Sequence, residues 1–151
     1  MIEFAANQHQ HQISASDFSF DRTVNVRRLH RMLSAYTETP LVYLDRGIYV
    51  KDESKRFGIK AFKGLGGIYA MFRIICGELR LNPDETTMDM LRKAKYRGHI
   101  RQMDFITTTD GNHGKGVSWA AGILGCKEHV YMPKGTVECG PKQSAMRGML
   151  T

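Results

Sequence analysis

"FITTTDGNHGKG", residues 105–116, decides how this chain folds, because an apolar, β-branched run breaks there into a glycine-punctuated polar loop and then into a helical pattern. Residues 105–109 read as a buried strand. Downstream, Val117, Ala120, Ala121 and Leu124 recur on one helical face and Gly125 stops the helix. "HVYMP" (129–133) is the next strand. Strand, helix and strand in this order form a βαβ unit, so the fold class is α/β with at least a small parallel sheet.

The loop then lies at the carboxyl end of a parallel strand and the amino end of the following helix, where open α/β sheets place ligands. Backbone N–H groups of Gly111, Asn112, His113 and Gly114 are expected to be free there and, with the helix dipole behind them, to favour a carboxylate or phosphate. A second reading stays open, in which Asp110 or Asn112 caps the helix and nothing is bound. Gly111 and Gly116 have the spacing of a phosphate-binding P-loop, but Val117 stands where its phosphate-gripping Lys belongs, so that reading is rejected. No GxGxxG opens a helix either.

Upstream of the loop, Leu65, Ile68, Phe72, Ile75 and Leu79 form one helical stripe behind "KDESKRFGIKAFKGLGG" (51–67). Asn82 and Pro83 break the chain, and Asp84 and Glu85 are suited to the start of a further helix. Before them, "LVYL" (41–44) and "IYV" (48–50) flank the turn "DRG" as a hairpin or a bent edge strand. Leu29, Met32, Leu33 and Tyr36 mark a helix that begins near Val26 and ends before Pro40. Residues 1–25, with the polar stretch "NQHQHQIS" (7–14), are expected to be a flexible arm.

At 151 residues the chain is long enough for one core, and 22 Lys+Arg against 15 Asp+Glu give a net charge of +7, which favours anionic partners without choosing among them. The basic residues are scattered and no aromatic-rich nucleic-acid module surrounds them. "VRRLHR" (26–31) and "RKAKYR" (92–97) read as solvated helix faces. Cys76, Cys126 and Cys139 are dispersed, without a CxxC pair or a zinc-ligand spacing, so no metal is expected and the thiols read as reduced. With no secretory leader pattern and no apolar run of membrane-spanning length, a cytoplasmic protein away from membranes is expected.

Read together, "KDES", "RFG", "AFK", "LGG", "TTTDGNHG", "WAA" and "YMPKG" resemble, in order, the fold-type II pyridoxal-phosphate enzymes, the group of the serine and threonine dehydratases and the tryptophan synthase β chain. Within that group, Asp110 in place of the usual Ser is similar to the diaminopropionate ammonia-lyase branch. The resemblance runs from about residue 40 to residue 135. It implies pyridoxal 5'-phosphate as cofactor, bound covalently by Lys63 of the tripeptide Ala61, Phe62 and Lys63. It further implies that Asn112 hydrogen-bonds the cofactor's phenolic oxygen, that Gly111, Asn112, His113 and Gly114 hold the carboxylate of a small amino-acid substrate, and that Asp110 is a second base facing Lys63. The implied reaction is the elimination of ammonia from 2,3-diaminopropionate to give pyruvate.

The residues bear on this independently. Lys63 is expected at the start of a helix and opposite its apolar stripe. A helix amino end and burial would together disfavour its charged form and leave an amine able to attack an aldehyde. An exposed surface lysine is the commoner fate of such a residue when the motif is not considered. Members of the group are more than twice as long, and their phosphate-gripping glycine loop, pyridine-nitrogen partner and second acidic residue have no counterpart here. The expectation is an incomplete fold-type II fold. Residues 26–135 are its N-terminal part and 136–151 a divergent, truncated tail. A separate C-terminal half or a homodimer partner would complete it, and the chain would be inactive alone. A serine/threonine dehydratase-type fragment and a non-catalytic basic binding fragment are the alternatives.

Overall fold

The computed structural model describes Ser16 and residues 20–109 and 111–134. The stretch 7–14, Asp110, Cys139 and the tail 136–151 lie outside the described residues.

A 3-10 turn (Phe20–Thr23) leads into helix α1 (Val24–Arg31), so regular structure begins within the segment expected to be a flexible arm. The helix also stops short of Tyr36. Its last N–H groups close tight turns, Met32 onto Leu29 and Leu33 onto His30, and the chain then bends so that Tyr36 stacks on His30 at 5.7 Å. Leu29 and Leu33 are buried as the periodicity implies. Nor is "VRRLHR" simply a solvated face. His30 is buried and its Nε2 lies 2.9 Å from the Leu65 carbonyl, while Arg28 donates to the carbonyls of Pro83 and Thr86. "RKAKYR" does face solvent over most of its length.

Strands β1 (Leu41–Tyr43) and β2 (Tyr49–Lys51) pair antiparallel with Val42 opposite Val50, turning at Arg46 and Gly47, which adopt φ of 55° and 77°. This is the hairpin form of the two expected. Both its faces are exposed.

Helix α2 (Lys63–Glu78) buries Ile68, Met71, Phe72, Ile75 and Cys76. The next helix does not begin at Asp84 and Glu85. Asn82 captures that segment instead, its side chain accepting from Asp84 N–H and its carbonyl from Glu85 N–H, Thr86 N–H and the Thr86 hydroxyl. Helix α3 (Met88–Arg92) starts after Thr87, whose hydroxyl accepts from Met90 N–H at 3.2 Å. Lys93 is extended, with ψ of 146°, and separates α3 from α4 (Ala94–Ile100).

The last three elements are β3 (Asp104–Thr108), α5 (Asn112–Leu124) and β4 (Lys127–Tyr131). The strands are parallel, with Ile106 opposite His129 and Thr108 opposite Tyr131, so the expected βαβ unit is present. Gly125 ends α5 in the left-handed region at φ 78°. The core lies between α2 and α5, where Ile68, Phe72, Ile75, Val117, Ala120, Ala121 and Leu124 meet Leu29, Met88, Leu91 and Ile100 from the flanking helices. Among the described residues no helix is long and apolar enough to cross a membrane.

Candidate active site

The two segments that attracted attention in the sequence meet through glycine. In α5, a Cβ added to Gly116 would stand 2.8 Å from the Gly64 nitrogen, 2.9 Å from the Lys63 carbonyl carbon and 3.1 Å from its oxygen, so the helices touch backbone to backbone there. Gly67, one turn further along α2, faces the Gly116 carbonyl at 3.5 Å from its own added Cβ. Any side chain at 116 would push apart the amino ends of both helices. Those ends carry Lys63 and Asn112, and Asn112, four residues before Gly116, shares its helical face roughly 6 Å away along the axis.

Side chains also wall the Lys63–Gly64 peptide. An added Gly64 Cβ would lie 3.0 Å from Phe57, 3.3 Å from the indole of Trp119 and 3.4 Å from Ile59. Phe57 and Trp119 stack at 4.0 Å with their planes 17° apart. Phe57 holds this position with a left-handed backbone, φ 52°, uncommon for a bulky residue.

An ion cluster fixes the residue before it. Arg56 is buried. Its guanidinium donates to Glu53 at 2.5 and 2.9 Å, to the Thr37 carbonyl at 2.7 Å and to the Thr39 hydroxyl at 2.7 Å. The Thr39 hydroxyl in turn donates to Glu53 at 2.6 Å. The hydrogen bond from Arg56, assisted by that from Thr39, holds the Glu53 carboxyl down at about 2 against the opposing effect of burial. "KDESKRFG" is thus a structural clamp ahead of Lys63.

Lys63 is the first residue of α2 and points away from the core, as expected. The expected burial is absent. Its side chain is exposed, with Nζ 4.8 Å from the centroid of the Phe62 ring, itself 55% exposed. None of the described elements packs over it, because the core stripe of α2 lies on the helix's other side.

The loop at the start of α5 departs from the expectation of four free N–H groups. Thr109 Oγ1 accepts from Gly111 N–H at 3.1 Å and from Gly114 N–H at 3.3 Å, leaving Asn112 and His113 as the two first-turn N–H groups without an acceptor among the described residues. Thr109 was read as the last residue of a strand. It is the helix-capping acceptor, and threonine just ahead of a helix was the available signal. Gly114 has a different task, since an added Cβ would collide with the Thr109 methyl and come within 2.7 Å of Val130. The Asn112 and His113 side chains are exposed. Asp110, between Thr109 and Gly111, is outside the described residues.

Known proteins can now be set beside this geometry. Diaminopropionate ammonia-lyase of Escherichia coli (strain K12) is 39% identical over 145 residues, covering 91% of this chain and 35% of the relative. The enzyme of that name from Salmonella typhimurium (strain LT2) is 42% identical over 119 residues, covering 74% and 30%. The crystal structure of the E. coli enzyme in apo form superposes with a TM-score of 0.76 at 40% identity, covering 89% of this chain and 38% of that one. This chain spans about a third of the length of these relatives, and its α/β architecture is a part of their fold. The family model described as pyridoxal-phosphate dependent enzyme matches residues 32–149, from the end of α1 past β4. With most of its length inside that match, the chain belongs to the pyridoxal-phosphate dependent enzyme family.

Proposed function

We propose that this chain is the lysine-bearing N-terminal portion of a diaminopropionate ammonia-lyase, which converts 2,3-diaminopropionate and water to pyruvate and two molecules of ammonia. The observation that supports the reading is the contact of Gly116 with the Lys63–Gly64 peptide, which sets the backbone bearing the amine against the helix that begins at Asn112. Similarity of about 40% to relatives of that name supports the choice of substrate.

The donor set suits pyridoxal 5'-phosphate. Lys63 offers a primary amine to the aldehyde, the Asn112 amide can donate to the phenolic oxygen, and the N–H groups of Asn112 and His113 suit the substrate carboxylate at the positive end of α5. Gly111 and Gly114, whose N–H groups are engaged by Thr109, shape the turn that presents those two donors. When bound, the cofactor supplies an electron sink that weakens the substrate Cα–H bond. Lys63 presents a base on one face of that carbon. By the resemblance, Asp110 would supply a second base, so that either stereoisomer could lose its α-proton, and the β-amino group would leave as ammonia.

The chain is not expected to turn over by itself. An exposed Lys63 lacks the walls that exclude water from such chemistry, and apolar residues stand uncovered elsewhere, with Leu41 at 63%, Tyr49 at 62% and Ile106 at 68% exposure. The complementary C-terminal portion of the fold is the partner expected to cover them, with a homodimer partner as the alternative source. Unpaired Cys76 and Cys126 support a reducing compartment, the cytoplasm.

The test is spectroscopic and then catalytic. Pyridoxal 5'-phosphate added to the chain should give an absorption band for a carbon–nitrogen linkage that Lys63→Ala removes. In enzyme reconstituted with the complementary portion, 2,3-diaminopropionate should yield more pyruvate than serine or threonine. An unchanged spectrum in the variant refutes the role of Lys63, and preference for serine refutes the substrate.

A further inference from the structure

We infer that Trp119, through its stack on Phe57, is a positioning residue for Lys63. The inference rests on the reading of Lys63 as the cofactor lysine.

Helix α2 begins poorly by its own means. Phe62 at its N-cap makes no side-chain capping bond, its first turn has no acidic residue, and Gly64, Gly66 and Gly67 follow Lys63 directly or nearly so. Three glycines so close to the start leave the backbone loose unless something outside the helix confines it. The confinement is visible. Gly116 presses on the Lys63–Gly64 peptide, and Phe57, Trp119 and Ile59 close on Gly64.

Of the three side chains, Trp119 is the one that shares a helix with Asn112. It sits three residues after Gly116 and seven after Asn112, on the same face of α5, so the helix that carries Asn112 also carries the ring that backs Gly64. Its stacking partner Phe57, left-handed at φ 52°, directly follows Arg56, which is bonded to Glu53. The Lys63 side chain is exposed and flexible, so what the fold fixes is the point on the backbone from which it reaches. Removing the indole frees one side of that backbone. The arm then starts from a less fixed point, and its effective concentration toward an aldehyde held near Asn112 falls.

The experiment uses the whole chain with pyridoxal 5'-phosphate, borohydride reduction, and peptide mapping of the fraction trapped at Lys63 relative to the exposed lysines Lys55 and Lys60, which serve as internal controls. Trp119→Leu should lower trapping at Lys63 about tenfold while leaving the controls unchanged. Trp119→Phe, which keeps an aromatic face for Phe57, should restore most of it. Phe57→Leu, which keeps the indole but ends the stack, should resemble Trp119→Leu and decides the matter if the latter fails to fold. Preferential trapping at Lys63 that survives Trp119→Leu or Phe57→Leu overturns the positioning role alone. No preference for Lys63 in the unaltered chain overturns the cofactor-lysine reading and the inference with it.

Discussion

Gly116→Ala should destabilise the chain even though alanine is the better helix former. The added Cβ would stand 2.8–3.1 Å from three backbone atoms of Lys63 and Gly64, inside the 3.4 Å at which ordinary contact begins. Overlaps of up to about 0.6 Å with backbone cannot be relieved by a rotamer change, so the upper part of the overpacking range, about 3 kcal/mol, applies. Helix propensity returns about 1 kcal/mol, for a net loss of about 2 kcal/mol. Gly122 supplies the control in the same helix, since nothing lies within 4 Å of its added Cβ and it is exposed. Gly122→Ala should therefore stabilise by about 0.5–1 kcal/mol. In urea, with a slope of about 2 kcal/mol/M, the midpoint should drop by about 1 M for Gly116→Ala and rise by about 0.4 M for Gly122→Ala. The single tryptophan, packed at this helix contact, reports both transitions by fluorescence. A Gly116→Ala chain as stable as the parent would refute the backbone-to-backbone contact.

Two further predictions concern pH. Because Arg56 holds the Glu53 carboxyl at about 2 in the folded chain against 4.5 for a free glutamate, its contribution is complete above about pH 4.5 and is lost as pH falls toward 2; Glu53→Gln should cost on the order of 2–3 kcal/mol at pH 7, and the difference between variant and parent should shrink across that acid range in urea titrations. Burial lowers the proton affinity of His30 below its usual 6.5, so its contribution is full above that value and declines as pH falls through the folded-state value; ring chemical shifts should show the low titration point, and a His30→Gln chain should lose this part of the stability decline below pH 6.5.

Much of the fold was legible because its signals are local. The period-2 and period-3.6 patterns around residues 41–50, 65–79 and 105–133 gave the hairpin, α2 and the βαβ unit, and Gly125 ended its helix where a left-handed residue is needed. What escaped depended on competition between neighbours. Asp84 and Glu85 suit a helix start, but Asn82 ahead of them offers both a side-chain oxygen and a carbonyl, and the turn it closes postpones the helix to Met88. Thr109 belongs to the strand by β-branching and to the helix by its hydroxyl, and the hydroxyl decides where two of the loop N–H groups point. Lys63 was placed correctly along its helix but not in its surroundings, since burial depends on what packs over a residue and a helical period reports only the face it lies on. The meeting of Gly64, Gly67 and Gly116 was also hidden. Glycines in "LGG" and "HGKG" suggest turns, and only the packed helices reveal them as the place where two backbones touch.

That contact has a consequence for how the site behaves in time. Side chains hop between rotamers in picoseconds to nanoseconds, and a spacing set by interlocked side chains fluctuates with them. Between Gly116 and the Lys63–Gly64 peptide there is no rotatable bond to hop. The separation of the two helix ends is therefore a fixed dimension of the molecule, and the hydrocarbon arm of Lys63 is the adjustable length that must span whatever gap remains.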